Sequence, residues 1–305
     1  MDLRTRIRSD EDLHEIERLV GETHFVYQPF RFTNTLEVGI GYESVLGNRG
    51  GGMVYWPGAP LERYPNLRRF LAPDEAKDAF TKANQQLREI NDDYVEQICR
   101  NFPVAGKSIA DVGCFAGYFP VALSLKGART FGYDIHDRGG CFAVLNRLLG
   151  SDATFIHAGY DLTTGLIPQV CQHDMVICHD LVQHMIEPFR FIHMLSNMAC
   201  EALFLKCPAW LDSSGERYIT IGKPNGIFQL RFPWCFDHDN IPSYSLLRES
   251  LELSGFSTFI PITTKGFPLP EAMDKRTFTT FSMLALRQAP MINKDLLSIH
   301  EPVGL

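Results

Sequence analysis

From residue 108 onward the chain alternates short apolar runs with helix-patterned stretches, and few architectures satisfy that alternation. "SIADV" reads as a strand, followed by a turn of small residues and a helix, "YFPVALSLKG", that ends at Gly127. "ARTFGYDI" is a second strand, and "CFAVLNRLLG" a helix closed by Gly150. "ATFIHAG" and "HDMVICHDL" are further strands, "EPFRFIHMLSNMA" a helix and "EALFLKCPAW" another strand. An irregular stretch runs to about residue 243, then come a helix, "YSLLRESLELSGF", and a closing strand, "FTTFSMLALRQ". Strands joined through helices must run parallel, and a parallel sheet needs helices over both faces. The expected fold is α/β and doubly wound: a mostly parallel seven-stranded sheet with right-handed crossovers.

The region before this repeat differs. "SDEDLHEIERLVG" (9–21) predicts a capped amphipathic helix with Leu13, Ile16, Leu19 and Val20 on one side. Residues 22–60 are rich in aromatics, glycine and asparagine and read as strand pieces and turns; Phe25, Tyr27, Phe30 and Phe32 partly alternate. Residues 73–100 predict a long helix with Ala79, Phe80, Ala83, Leu87, Ile90, Tyr94 and Ile98 along one side. The domain expectation is a cap over 1–75, a main domain over 76–290 with an insertion at 211–243, and a tail over 291–305.

Composition narrows the function classes. The net charge is −7 over 305 residues, with no basic stripe, which disfavours a nucleic-acid partner. The charged amino-terminal stretch lacks the apolar core of a signal peptide, and no run reaches transmembrane length, so the cytoplasm is the expected location. Eight cysteines without a C-x-x-C pair read as reduced structural thiols, and no metal site is expected.

The chemistry concentrates at "DVGCFAG", residues 111–117, where the first strand feeds a helix. In a doubly wound sheet ligands bind outside the carboxyl ends of the strands. Gly113 and Gly117 allow a sharp turn and close backbone approach. Asp134, twenty-one residues after Gly113, closes the second strand, where an acid can accept both hydrogen bonds of a ribose diol. A pyrophosphate loop would want G-x-G-x-x-G, and Phe115 stands where its second glycine belongs. A nucleoside without phosphates fits this turn better.

"ADVGCFAGYFPVALSLKGARTFGYDIHD" resembles the first two motifs of the class I S-adenosylmethionine-dependent methyltransferases, whose fold is Rossmann-like. "FIHAGYDL", "HDMVICHDLVQHMIEPFRFIHML" and "EALFLKCPAW" follow in the family's order. The spacing of Asp174, Val176, His184 and Pro188 is similar to the branch of the tRNA wobble-uridine carboxymethyltransferase and its small-molecule relatives. The resemblance covers roughly residues 80–287. It implies that Asp111, Gly113, Cys114 and Gly117 shape the methionine end of an S-adenosylmethionine site, with S-adenosylhomocysteine as product. Asp134 would hold the ribose hydroxyls, Ile135 would lie against the adenine, and Asp161 would accept from the adenine amino group or simply cap "DLTTG".

For catalysis the candidates at the fourth strand's end are His184 first, then His179, with Asp180. His184 serves either as a base or as a fixed point of the turn before Pro188. His179 and Asp180 would face opposite ways if the strand continues through both. Acceptor contacts fall to the two segments outside the repeat: Tyr27 in the aromatic stretch, and Arg217, Tyr218, Arg231 and Trp234 in the insertion, where Trp234 could equally be packing. The leading expectation is an enzyme that methylates an O or N nucleophile of a small molecule, of the kind used in specialised metabolism; a homodimer is allowed. The alternatives are a tRNA-modifying methyl- or carboxymethyltransferase, and a cofactor-binding scaffold without catalysis.

Overall fold

A computed structural model describes residues 18–20, 23, 25, 28–32, 37–39, 53–55, 74–159, 171–185, 187–211, 215–222, 239–262 and 277–291. Most of the expected helix over 9–21 lies outside these residues, but 18–20 are helical. The chain separates into two compact units that interleave along the sequence: Met1–Glu96 with Cys114–His157, and Gln97–Gly113 with Ala158–Leu305.

Short strands β1 (Phe30–Arg31), β2 (Glu37–Gly39) and β3 (Met53–Tyr55) form an antiparallel sheet in the first unit. Helix α1 (Asp74–Asn101) follows, and then β4 (Ser108–Val112), α2 (Tyr118–Ser124), β5 (Arg129–Asp134), α3 (Gly139–Leu149) and β6 (Thr154–His157). β7 (His173–His179) leads through a 3-10 turn, Val182–His184, to α4 (Pro188–Met198) and β8 (Ala199–Leu211). β9 (Ile219–Gly222), β10 (Asp239–Pro242), α5 (Tyr244–Leu253), β11 (Thr258–Pro261) and β12 (Thr277–Leu286) complete the order.

Seven strands form the main sheet in the order β11-β12-β8-β7-β4-β5-β6. β4–β7, β7–β8 and β5–β6 are parallel; β12 runs antiparallel to both β8 and β11. The strand order reverses at β4. All five β4 residues are buried, as expected of a strand covered on both faces. The doubly wound, mostly parallel sheet expected from the alternation is therefore the observed one.

Several elements differ from the sequence reading. α2 stops at Ser124 rather than running to Gly127. β11 has no counterpart in that reading, because "TFIP" is a short edge segment without clear alternation. The insertion is not wholly irregular: β9 and β10 pair antiparallel, with Ile219 opposite Pro242 and Gly222 opposite Asp239. On α1 the buried stripe is Asn84, Asn91, Tyr94, Val95 and Ile98, whereas Leu87 and Ile90 are only half-buried. Tyr94 and Ile98 are buried as expected, but apolarity alone passed over the two buried asparagines that belong to this face.

The core of the first unit is aromatic. Phe25, Phe30 and Phe32 are buried, with ring centroids 5.8–6.3 Å apart. Phe30 also meets Tyr118, at 5.4 Å. Tyr118 is fully buried, and its hydroxyl donates to Asp92 Oδ1 on α1 at 2.7 Å, so a phenol with no exposed surface keeps a partner. Burial and the Asp92 carboxylate push that phenol well above its ordinary range.

In the second unit, Arg287 donates to the carbonyls of Ser196, Ala199 and Ser254 at 2.5–3.2 Å and lies 4.1 Å from the Phe256 ring centroid. It thereby satisfies carbonyls at the ends of α4 and α5 that have no partner within the helices.

Candidate active site

In the first unit the turn after β4 is built around positive backbone angles. Phe115 has φ 48° and Gly117 φ 93°. Phe115 thus takes a left-handed conformation at the position where a dinucleotide loop would carry glycine. Asp134, at the carboxyl end of β5, holds the turn: its Oδ2 accepts from Phe115 N–H at 3.0 Å and its Oδ1 from His136 N–H at 2.8 Å. Cys114 N–H donates to the Tyr133 carbonyl at 3.1 Å and ties the turn to the same strand. An ionised carboxylate offers about four lone-pair sites, so the two left over can serve a diol.

The missing Cβ at Gly117 has a packing reason. An added Cβ would lie 2.6 Å from the Phe142 ring on α3. At Gly132 on β5 it would meet Phe142 at 2.4 Å and Cys114 Sγ at 2.7 Å. Cys114 is fully buried, so its side chain fills the space beside Gly132. Ile135 is half-buried, and its carbonyl lies 2.9 Å from His157 Nε2. Gln28, which the sequence reading passed over, accepts from Tyr118 N–H at 2.9 Å and so caps the first turn of α2. A glutamine ninety residues upstream gives no local signal of that role.

In the second unit Asp111 is buried on β4, in register with Ile177 of β7. Gly113 has φ 80°, and a Cβ there would lie 2.8 Å from Leu181 Cδ2. The space left by this glycine is therefore filled by the residue that follows Asp180.

β7 ends at His179, and Asp180 has φ 56°. The strand does not continue through both, so the expectation that the two side chains face opposite ways does not hold. His179 Nδ1 lies 3.6 Å from Asp180 Oδ2. Lys206, on β8 opposite His179 in the register, makes an ion pair with the same carboxylate oxygen. Its ammonium is nearly buried, at 11% side-chain exposure, while Asp180 keeps 37%.

Burial and the Lys206 ammonium push the His179 imidazole down to about 3, so it is neutral at neutral pH. Burial opposes ionisation of Asp180, but the His179 ring and the Lys206 ammonium outweigh it and hold the carboxyl below its ordinary value. Gln183 Nε2 donates to the Asp180 carbonyl at 3.0 Å and lies 3.3 Å from His184 Nε2. His184 therefore sits in the 3-10 turn beside a buried glutamine.

Lys206 is the member of this group that the sequence reading missed. Its signal was present: a lone lysine inside the apolar run "EALFLKCPAW" is a charge in a strand with no obvious exposed face.

Of the acceptor-side expectations, Tyr27, Arg231 and Trp234 lie outside the described residues, as does Asp161. Arg217 is exposed and pairs with Glu249 of α5 at 2.5 Å. The Tyr218 carbonyl accepts from Ser243 N–H at 2.8 Å. Ser243 Oγ also takes Tyr218 N–H and caps α5 through Leu246 N–H, each at 3.3 Å. Trp210 Nε1 donates to Thr220 Oγ1 at 2.7 Å, and the buried Asn240 donates to the Met185 carbonyl at 2.8 Å. The β9–β10 pair is thus tethered to the turn that carries His184. Among the described residues no three His, Cys, Asp or Glu side chains are grouped to hold a metal, and no helix is long and apolar enough to cross a membrane.

No family model matches the chain. A ubiquinone biosynthesis O-methyltransferase of Pseudomonas putida is 29% identical over 113 residues, which are 37% of this chain and 48% of that protein. The protein of the same name from Nitrosospira multiformis is 26% identical over 114 residues, 37% of this chain and 47% of the relative. The chain thus spans just under half the length of these curated relatives. Among solved structures, the N-terminal domain of EvdMO1 with S-adenosylhomocysteine bound superposes with a TM-score of 0.54 at 14% identity, covering 92% of this chain and 100% of that one. The fold is that of the class I S-adenosylmethionine-dependent methyltransferases.

Proposed function

We propose that this chain is an enzyme that transfers a methyl group from S-adenosylmethionine to an oxygen or nitrogen nucleophile of a small-molecule acceptor. The observation that carries this reading is Asp134: a buried carboxylate at the end of β5, cross-bonded to a left-handed turn, with two lone-pair sites to spare. That arrangement fits a ribose diol. Asp111, Gly113, Cys114 and Gly117 would shape the methionine end, and Ile135 would border the adenine, with Asp161 near its amino group. Bound S-adenosylmethionine supplies a methyl already activated by the sulfonium charge, so the chain's own task is to align and desolvate. The name of the curated relatives, O-methyltransferase, favours oxygen as the accepting atom.

In this reading residues 76–290 carry the transfer, 1–75 form a cap, 211–243 a lid over the acceptor and 291–305 a tail. Calorimetry tests the cofactor assignment. S-adenosylhomocysteine should bind at micromolar strength, roughly −8 kcal/mol. Asp134→Ala should weaken it by about 1–3 kcal/mol through two lost charge-assisted bonds. Tighter binding of NAD than of the thioether would sink the assignment.

A further inference from the structure

We propose that Lys206 is a positioning residue: it holds the Asp180 carboxylate so that Oδ1 takes a hydrogen bond from the acceptor, which makes the acceptor a hydroxyl or amine donor and not a carboxylate. The inference rests on the methyltransferase reading and goes beyond it by naming the acceptor's chemical class.

Three observations lead there. The first is where the backbone places Asp180. Its N–H donates to the Lys206 carbonyl at 2.8 Å, one step past the end of β7, and its φ of 56° turns the chain sharply at that point. Aspartate tolerates the left-handed region better than most residues, and such outliers collect where a side chain must be aimed. Gln183 fixes the following turn through the Asp180 carbonyl.

The second is how the carboxylate is shared. The Lys206 ammonium and the His179 ring both lie on Oδ2. Among the described residues Oδ1 takes no hydrogen bond or ion pair.

The third is which end of the pair is open. Asp180 keeps more than three times the side-chain exposure of Lys206. An incoming group therefore meets the carboxylate, with the ammonium behind it. A carboxylate acceptor would meet like charge, whereas a hydroxyl or an ammonium would find a fixed, ionised acceptor. Lys206 in turn depends on Asp180, because a buried ammonium without a counter-charge is strongly destabilising. His179, neutral beside the pair, contributes a polar ring rather than a charge.

The test loads the protein with S-adenosylhomocysteine and adds catechol, benzylamine or benzoate as separate probes, read by calorimetry and by crystal soaks. Catechol and benzylamine should bind with an O–H or N–H within hydrogen-bond distance of Asp180, and benzoate at least tenfold more weakly. Asp180→Asn should lower affinity for both donor probes at least tenfold while S-adenosylhomocysteine affinity moves less than threefold. Lys206→Met should reproduce that loss, and Lys206→Arg should restore most of it, which a merely space-filling role would not do. Benzoate seated against Lys206, absence of every probe from Asp180, or unchanged donor binding in Asp180→Asn would overturn the inference while leaving the cofactor assignment standing. Failure of the parent protein to bind S-adenosylhomocysteine would instead remove the methyltransferase reading, and this inference with it.

Discussion

Phe115 shows how much one residue's surroundings can impose on it. A phenylalanine with φ 48° is held in a region disfavoured for bulky side chains, and the bond from its N–H to Asp134 is part of what keeps it there. The glycines nearby differ in why they are glycine, and substitution separates the reasons. Gly117→Ala combines a positive φ with a 2.6 Å approach to Phe142 and should destabilise the protein by about 2–4 kcal/mol. Gly150→Ala has a positive φ but open space around the new Cβ and should cost only about 1 kcal/mol. Urea midpoints of the two variants, measured together, check the contrast. His179 sets a pH dependence of known sign. Its folded pKa is depressed to about 3, below the ordinary 6.5, so the unfolded chain binds more protons between those values. Its contribution is full above about pH 6.5 and is lost as pH falls toward 3, at up to ~1.4 kcal/mol per pH unit. His179→Gln should flatten that acid limb in urea titrations at pH 7, 6 and 5.

Among the elements, those whose boundaries followed from local chemistry and those set by distant partners behave differently. α3 ends at Gly150 in the left-handed conformation, a stop signal carried by the residue itself. The packing of α4 and α5 depends on Arg287, which lies beyond β12 and touches the ends of both helices. Arg287→Ala removes hydrogen bonds to three carbonyls and the contact with Phe256, and should destabilise by about 2–4 kcal/mol. Arg287→Lys keeps the charge but not the planar fork and should recover less than half of that loss in denaturant titrations. The β9–β10 pair belongs with these distant cases. Its strands are four residues each and are held from outside the pair, by Trp210 of β8 donating to Thr220 Oγ1 and by the Met185 carbonyl accepting from Asn240 of β10.

For the molecule as a whole, the proposed division of labour predicts which properties move together. If 211–243 governs the acceptor, Asn240→Ala should free the β9–β10 pair from the Met185 carbonyl and raise amide exchange over 215–222. Its effect on S-adenosylhomocysteine affinity should stay under threefold, about 0.7 kcal/mol. A larger effect would show that the tether supports the cofactor and not a lid. Saturation should also stabilise the folded protein: S-adenosylhomocysteine at about 100 times its dissociation constant adds ~2.7 kcal/mol, seen as a raised melting temperature.

The sequence by itself determined the alternation of strands and helices, and with it the parallel sheet, because periodicity and glycine stops are local properties. It also marked Asp134 and the turn from Asp111 to Gly117, since an acid at a strand end and glycines before a helix stand at fixed spacings. Only the tertiary structure decided what fills the space those glycines leave, Leu181 in one case and Phe142 in the other. It also joined Lys206 to Asp180 from the neighbouring strand and turned the buried face of α1 onto asparagines. The physical reason is the same in each case. A side chain's burial, charge partner and free lone pairs depend on atoms brought close by folding from far along the chain, and local sequence pattern carries no record of them.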